Sequence, residues 1–486
     1  MVMQISFNAP GRRTAGGFRG VLKVFTLAGV LLSCSVDQIL DVQDIDVARP
    51  EAVQDAASLP AVLAGAIGNF GVMYNGSSTD VSQVSLSGMI SDEYINTETF
   101  PTRIEIDQRK QQYQNNGSLS GEFYAVMQAR AAADFAADGY RKFAATDAGL
   151  AEALNLSALA YILLAENYCG AVPISRETAP GVFEFGPALT TRQLLQRAVE
   201  KTDSALGVTG TGANTTNARV ARIAKARALL DLDQPAAAAT AIGGTTGVPT
   251  TFQYIYTHSE VTARQNNGTW NLVQNSGRYG VANNEGVNGL PFRSEGDTVG
   301  AGLRDPRVAN VRRPTNSGNG FDGATAMWWQ LKYPVRSSPT IIADGVEARL
   351  IEAEATYRAG DYPGALAILN ALRSDAAVAT ARGYTRAMAP LGVAVGAAAQ
   401  ENQIFKERAY WLYLTSHRLG DLRRLSRPTT APATDITGYG RGIETVFPTG
   451  AYHKAGTYGT DVSSPIPQAE DNNPQFVRSA CNVGQP

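Results

Sequence analysis

Three histidines, His258, His417 and His453, stand far apart in the chain, with no H-E-x-x-H or C-x-x-C spacing near them. Metal ligation needs donors gathered at short, regular spacing, so no metal site is predicted. No G-x-S-x-G elbow and no G-x-x-x-x-G-K-S/T loop occurs, which removes the signals for a triad serine and for a phosphate cradle. Gly438-Tyr439-Gly440-Arg441-Gly442 is glycine-rich but follows no strand and opens no helix, so it reads as a loop. No catalytic residue and no cofactor is predicted, which points to binding or scaffolding. The residues with chemistry left are three cysteines, Cys34, Cys169 and Cys481.

Cys34 ends a segment built like an export signal. Arg12, Arg13, Arg19 and Lys23 supply positive charge, Val24 to Leu32 is apolar or small, and no acidic residue comes before Asp37. The apolar run is about half of what a membrane span requires. Leu31-Leu32-Ser33-Cys34 resembles a bacterial lipobox, which implies a signal peptide at 1–33 and an acylated Cys34 on a tether at 34–55. Lipid on that cysteine would hold the chain on a membrane. Without residues 1–33, 42 basic residues become 38 against 44 acidic ones, a net charge of −6. That balance argues against a nucleic-acid partner. No further apolar run is expected to span a bilayer. Cys169 and Cys481, in an exported protein, either pair or stay free and buried.

The elements that position such residues are mostly helices. Leu59, Val62, Leu63, Ile67 and Phe70 recur at helical spacing behind Pro60, and Phe123, Val126, Met127 and Phe135 repeat the pattern. Residues 151–168 are apolar on most sides, as in a helix packed centrally among others. Further helices are predicted over 194–206 and 220–242, the second broken near Asp233. Asp361-Tyr-Pro363 and Asp233-Gln-Pro235 each join two helices, with Asp placed to cap and Pro near the first turn. A small residue follows two positions after each Pro, Ala365 and Ala237, where a facing helix can approach. These joints resemble the hairpin of tetratricopeptide repeats. Between 243 and 339 helical period is lost, with a short strand predicted over 251–256, and 426–486 is again loop-rich.

Five segments resemble the SusD/RagB family of outer-membrane nutrient-binding lipoproteins. They are Ala61-Val-Leu-Ala-Gly-Ala66 with Ser91-Asp92-Glu93; Ala158-Leu-Ala-Tyr161 with Tyr168-Cys-Gly-Ala-Val-Pro173; the hairpin over 353–373; Glu407-Arg408 to Arg424; and Pro465-Ile466-Pro467 with Asn473-Pro474. In the fourth, Glu407, Arg408, Leu412, Arg418, Asp421, Leu422 and Arg424 keep the family register, while Trp411, Thr415 and Ser416 replace its Glu, Glu and Gly. Arg418 and Asp421, one turn apart, are placed to pair, and Glu407 shares a face with Trp411. The segment is expected to lock the frame and not to catalyse.

The resemblance implies a mainly α fold of tetratricopeptide-like hairpins with long irregular insertions and little β. The domain is expected over 56–486, with a helical frame at 56–242 and 340–425 and a ligand or partner region at 243–339 and 426–486. It also implies a cell-surface lipoprotein of the outer membrane that binds an oligosaccharide or other polymeric nutrient. Such proteins deliver cargo to a SusC-like, TonB-dependent transporter. A sugar site needs planar rings, amides and arginines. Two groups qualify: Tyr94, Asn96, Phe100 and Arg103 after Asp92-Glu93, and Trp270, Tyr279, Trp328 and Trp329 in the central region. Trp328 and Trp329 cannot both face inward on one strand. The competing readings are an exported glycan-cleaving enzyme and a tetratricopeptide-type scaffold. For the enzyme, the adjacent Asp92 and Glu93 would point apart and make a poor acid–base pair.

Overall fold

The computed structural model describes residues 55–76, 82–179, 182–210, 212–296, 304–384 and 386–486. Cys34, the basic stretch before it and the tether lie outside the described residues. Among the described residues, twelve helices of seven residues or more carry the frame. They are α1 (Leu59–Asn75), α2 (Gln83–Ile90), α3 (Pro101–Asp107), α4 (Gly117–Phe143), α5 (Ala148–Asn167) and α6 (Thr191–Thr209). The rest are α7 (Thr216–Asp231), α8 (Pro235–Ile242), α9 (Gly345–Arg358), α10 (Tyr362–Ser374), α11 (Ala397–Trp411) and α12 (Arg418–Ser426). From α4 to α10 each helix packs against the next, and α1 lies on α4. The chain is therefore mainly α, built from stacked tetratricopeptide-like hairpins, and its strands are short antiparallel pairs.

Local chemistry sets the helix starts. Asn116 accepts from the Leu119 amide, Asp147 from Gly149, Thr215 from Ala218 and Asp344 from Glu347, while Thr190 and Gln193 form a reciprocal box. Two helices among the described residues, Ala56–Asn75 and Ala148–Asn167, are long and apolar enough by composition to cross a membrane, contrary to the expectation from the sequence. The reason for α5 is its central position: Gly149 to Asn167 are buried except Glu152, so nearly every face meets protein.

The two capped joints differ from their prediction in one case. Asp361 does cap α10, its Oδ1 accepting from Gly364 N at 2.8 Å. Asp233 does not cap α8. It sits at φ 59°, and its carboxylate takes hydrogen bonds from Arg358 at 2.7 Å and from Thr437. A buried-facing arginine at the end of α9 outcompetes backbone amides that water can reach. The close contact also moves by one residue: Ala365 is buried as expected, but Ala237 is exposed and Ala238 is the buried residue.

The expected pairing of Arg418 with Asp421 is replaced by a longer-range pattern. Arg418 makes two hydrogen bonds to Asp92, at 2.7 and 2.9 Å, across from the end of α2. Asp421 instead receives Arg408 at 2.9 Å on each oxygen and Arg424 at 2.7 Å. Arg424 also reaches Glu354 on α9 and Asp231 on α7 at 2.7–2.9 Å. Glu407 takes Arg307 and Arg373, and the Arg307 guanidinium lies 5.0 Å from the Trp411 ring centroid. All these side chains except Arg373 are almost fully buried, which favours a partner on both sides of each charge over a single pair on one helix face.

Residues 426–486 run back over the frame. Cys481 is joined to Cys169, just past α5, with Cα atoms 5.1 Å apart. The Cys169 amide also donates to Ser464 O at 2.9 Å, so the two segments meet through backbone as well as sulfur.

Candidate functional site

The site begins at a three-residue strand. Tyr94–Asn96 pairs antiparallel with Tyr279–Val281, placing Asn96 opposite Tyr279. Past the strand ends, Thr97 N donates to Arg278 O at 2.8 Å and Thr97 Oγ1 to Gly277 O at 2.9 Å. A third segment joins there, with Phe321 N donating to Gly277 O and Asp322 N to Thr97 O, at 2.8 and 3.0 Å. Two glycines permit this. Gly277 has φ +66° with the Arg313 guanidinium 2.2 Å from where a Cβ would stand, and a Cβ on Gly320 would sit 2.3 Å from Thr97 Cβ.

That convergence places two exposed rings on either side of an arginine. Phe100 precedes Pro101 at the start of α3 and is 44 % exposed, and Phe321 is 50 % exposed. The Arg278 guanidinium lies 4.8 Å from the Phe100 centroid and 4.6 Å from that of Phe321. Buried Glu98 fixes it, accepting from Arg278 and also from Arg103 at 2.8 and 2.9 Å. Arg103 in turn lies 5.0 Å from Phe100. Lys454 closes the floor, donating to Glu98 O at 2.9 Å and to Asp322. Large rings left in water, held by buried charge, are what a stacking ligand needs.

The sequence-derived residues divide accordingly. Phe100 is at the surface of this group, and Arg103 is buried beneath it as support. Tyr94 and Tyr279 are corrected to core: both are nearly fully buried, with centroids 5.7 Å apart. Both strands are buried on both faces, so no register of the pair would bring either ring to the surface. Asn96 is buried too, its Oδ1 accepting from Glu98 N, so it shapes the turn and is not offered to a ligand. Arg278, Glu98 and Phe321 were not foreseen. The only local signal was the run Gly318-Asn-Gly-Phe-Asp-Gly323, where an apolar ring sits in a turn too short of neighbours to bury it.

The tryptophans form a separate place. Trp328–Gln330 pairs with Asn310–Arg312, and its two tryptophans are each half-buried. Trp328 is flanked by Arg293 and Arg312 at 4.0 and 4.5 Å. Trp329 turns instead into a cleft of about 600 Å³ shared with Trp270, Gln274, Asn275, Arg313 and Thr315. A cleft of about 670 Å³ lies among α1, α4, α5 and α6, but its central Asp134 is already paired with Arg130 and Lys201 and bonded to Ser157. Among the described residues no group of three His, Cys, Asp or Glu is placed to hold a metal.

Comparison with known proteins gives no matching family model and no matching curated protein. Solved structures do match. A SusD superfamily protein from Parabacteroides distasonis aligns at TM-score 0.61 and 13 % identity, over 87 % of this chain and 98 % of the other. The fold is SusD-like. A protein from Bacteroides vulgatus described as a SusD-like carbohydrate-binding protein aligns at 0.58 and 15 %, over 89 % and 98 %. A SusD/RagB family protein from Bacteroides thetaiotaomicron aligns at 0.55 and 11 %, over 90 % and 97 %. The SusD-like fold therefore accounts for the loop-rich central and C-terminal regions as well as for the hairpins.

Below the site, a buried carboxyl has a measurable consequence. Asp107 Oδ2 accepts from Tyr452 OH at 2.6 Å and from Asn96 N at 3.0 Å, with His453 Nδ1 3.9 Å away. Burial pushes this carboxyl up to about 7, against those hydrogen bonds and the charge of Lys454. A group raised on folding holds more protons in the folded state, so stability falls as pH rises from 3.8 to about 7. Asp107→Asn keeps the acceptor and removes the titration. Melting curves on both sides of that window should show the fall in wild type and a flatter profile in the variant. An identical profile in both would assign the charge to another group.

Proposed function

We propose that this protein is a surface lipoprotein that binds an oligosaccharide and passes it, unaltered, to a SusC-like, TonB-dependent transporter in the outer membrane. The observation that carries the reading is the pair of exposed rings, Phe100 and Phe321, braced on Arg278. Sugars offer flat C–H faces to rings and hydroxyls to guanidiniums, and the bracing means that little order has to be created on binding. The SusD-like fold supports it, as does the description of one structural neighbour as carbohydrate-binding. Among the described residues beside the rings, Glu98 is paired with Arg103 and Arg278, and Lys454 with Asp322, which commits these charges to holding the rings. Pure protein incubated with polysaccharide is accordingly expected to leave chain length unchanged.

The binding reading is tested by titrating oligosaccharides against wild type, Phe100→Ala and Phe321→Ala. Each variant is expected to lose about 1–2 kcal/mol of affinity with little change in melting temperature, since an exposed ring contributes little to the core. Full affinity in both variants would remove the rings from the site. The anchor is tested separately. Cys34→Ala is expected to move the protein from the membrane fraction to the soluble one, or to leave it uncleaved at the inner membrane. Failure of a labelled fatty acid to mark the wild-type chain would exclude lipidation.

A further inference from the structure

We propose that a proton shared among His453, Asp107 and Glu285 sets how firmly the Phe100–Phe321 site is held. The site is tight in mild acid and loosens as pH rises through neutrality. This inference rests on the binding reading of the two rings and adds its regulation. The three groups meet under a brace that runs from Pro448 to Asp461. The brace folds back on itself, with Tyr452 N donating to Gly456 O at 3.0 Å and Tyr458 N to Gly450 O at 2.9 Å. Its flanks are clamped to the end of α3. Arg109 donates to Pro448 O and to Asp461 O, each at 2.6 Å, and Gly459 N donates to Gln108 O at 2.8 Å.

The tip of the brace reaches the ring site. His453 Nε2 donates to Asn96 O at 2.8 Å, and Lys454 donates to Glu98 O at 2.9 Å, just ahead of Phe100. Glu98 pairs with Arg278 and Arg103, so the tip helps to set where the arginines beside the rings stand. Ala455, at the same tip, holds φ 104°, a strained backbone value for a residue with a side chain. Such a tip stays in place only while its side-chain contacts hold it.

Protons decide those contacts. A carbonyl oxygen only accepts, so Nε2 of His453 carries the hydrogen and Nδ1 is the atom that titrates. Nδ1 faces Asp107 Oδ2 at 3.9 Å and Glu285 Oε2 at 3.8 Å, on side chains only 2 % and 13 % exposed. With both carboxyls ionised and Nδ1 bare, three acceptors converge with no proton between them. One added proton turns that repulsion into a bridge. The charges around the group are engaged elsewhere: Lys454 with Asp322, and Arg109 with its two carbonyls. Tyr452 donates to Asp107 and Tyr458 to Glu285, which Arg293 also faces. Burial raises the carboxyl of Asp107 to about 7, and burial and then the charge of Asp107 raise that of Glu285. Burial lowers His453, against its bond to Asn96 and the charge of Glu285. All three favour their neutral forms and titrate as a unit. Carboxyls raised on folding stabilise the brace fully below their unfolded values, and that contribution is lost as pH climbs through the folded ones.

The experiment follows amide hydrogen exchange in the full-length lipoprotein in detergent, without ligand, at about pH 5.5 and 8, corrected for intrinsic exchange rates. Peptides over 94–100 and 450–459 are expected to exchange at least about fivefold faster at the higher pH, while α5 changes little. The double variant Asp107→Asn, Glu285→Gln keeps oxygens for Tyr452 and Tyr458 but cannot titrate, and it should lose the difference. A second readout is the labelled ring of His453, assigned against His453→Gln. Its resonances should shift over the same pH interval in wild type. Equal protection at both pH values, a pH dependence that survives in the double variant, or a flat His453 resonance would overturn the proposal. Because exchange is read without ligand, any of these leaves sugar binding standing. If instead no oligosaccharide binds, the binding reading falls, and the exchange result still decides whether the brace is a proton switch.

Discussion

Arg424→Ala is expected to destabilise the protein by about 3–5 kcal/mol, the cost of leaving buried carboxylates short of a cation. Arg424 is the node that ties α7, α9 and α12 together, bonding to Asp231, Glu354 and Asp421. Arg408 remains beside Glu354 and Asp421, so Asp231 loses most. Burial alone would push the carboxyls of Asp231 and Asp421 up, but the guanidiniums outweigh it and hold both below the ordinary range. Depressed carboxyls stabilise the fold above their unfolded values and lose that contribution as pH falls through the folded ones. Wild type should therefore lose more stability than the variant on acidification, and the two denaturation curves should converge at low pH. A variant as stable as wild type near neutral pH would mean that this network is not what holds the three helices.

Cys169→Ser is expected to cost about 3–5 kcal/mol, because the bond between residues 169 and 481 closes a loop with a sequence separation of 312 and so removes much freedom from the unfolded chain. The loss should fall unevenly. Cys169 follows the buried α5, whereas residues 462–486 are loop and short turns, so the C-terminal segment should become the first site of proteolysis. Reductant should bring wild type to the level of the variant. Equal melting temperatures for wild type and variant, with and without reductant, would show that the two cysteines contribute no bond to stability.

Much of the helical frame could be read from short-range pattern. Leu59, Val62, Leu63 and Phe70 mark the buried stripe of α1, and the apolar run of α5 announces a helix with no wet face. Asp361 is a cap because capping needs only four consecutive residues, 361 to 364. Asp233 has the same local signature and fails, because Arg358 reaches it from a helix far away in sequence. The same physics decides the partner of Arg418. Its spacing to Asp421 allows a pair, but Asp92 arrives from 326 residues away with a better two-point geometry.

The site shows the limit more sharply. Aromatic residue types mark candidate stacking positions, yet exposure is decided by partners. Tyr94 and Tyr279 lie in a strand pair buried on both faces, whereas Phe100 and Phe321 stay in water because Gly277, Gly320 and Glu98 hold the backbone and Arg278 between them. No periodicity links residues 100, 278 and 321.

The most direct measurement is a structure of the protein with the tightest-binding oligosaccharide from a panel. The account predicts a sugar ring stacked on Phe100 or Phe321, with Arg278 bonded to its oxygens and the backbone of α3 unmoved. A sugar lodged instead in the cleft of Trp270 and Trp329, or no bound sugar from any panel member, would contradict it.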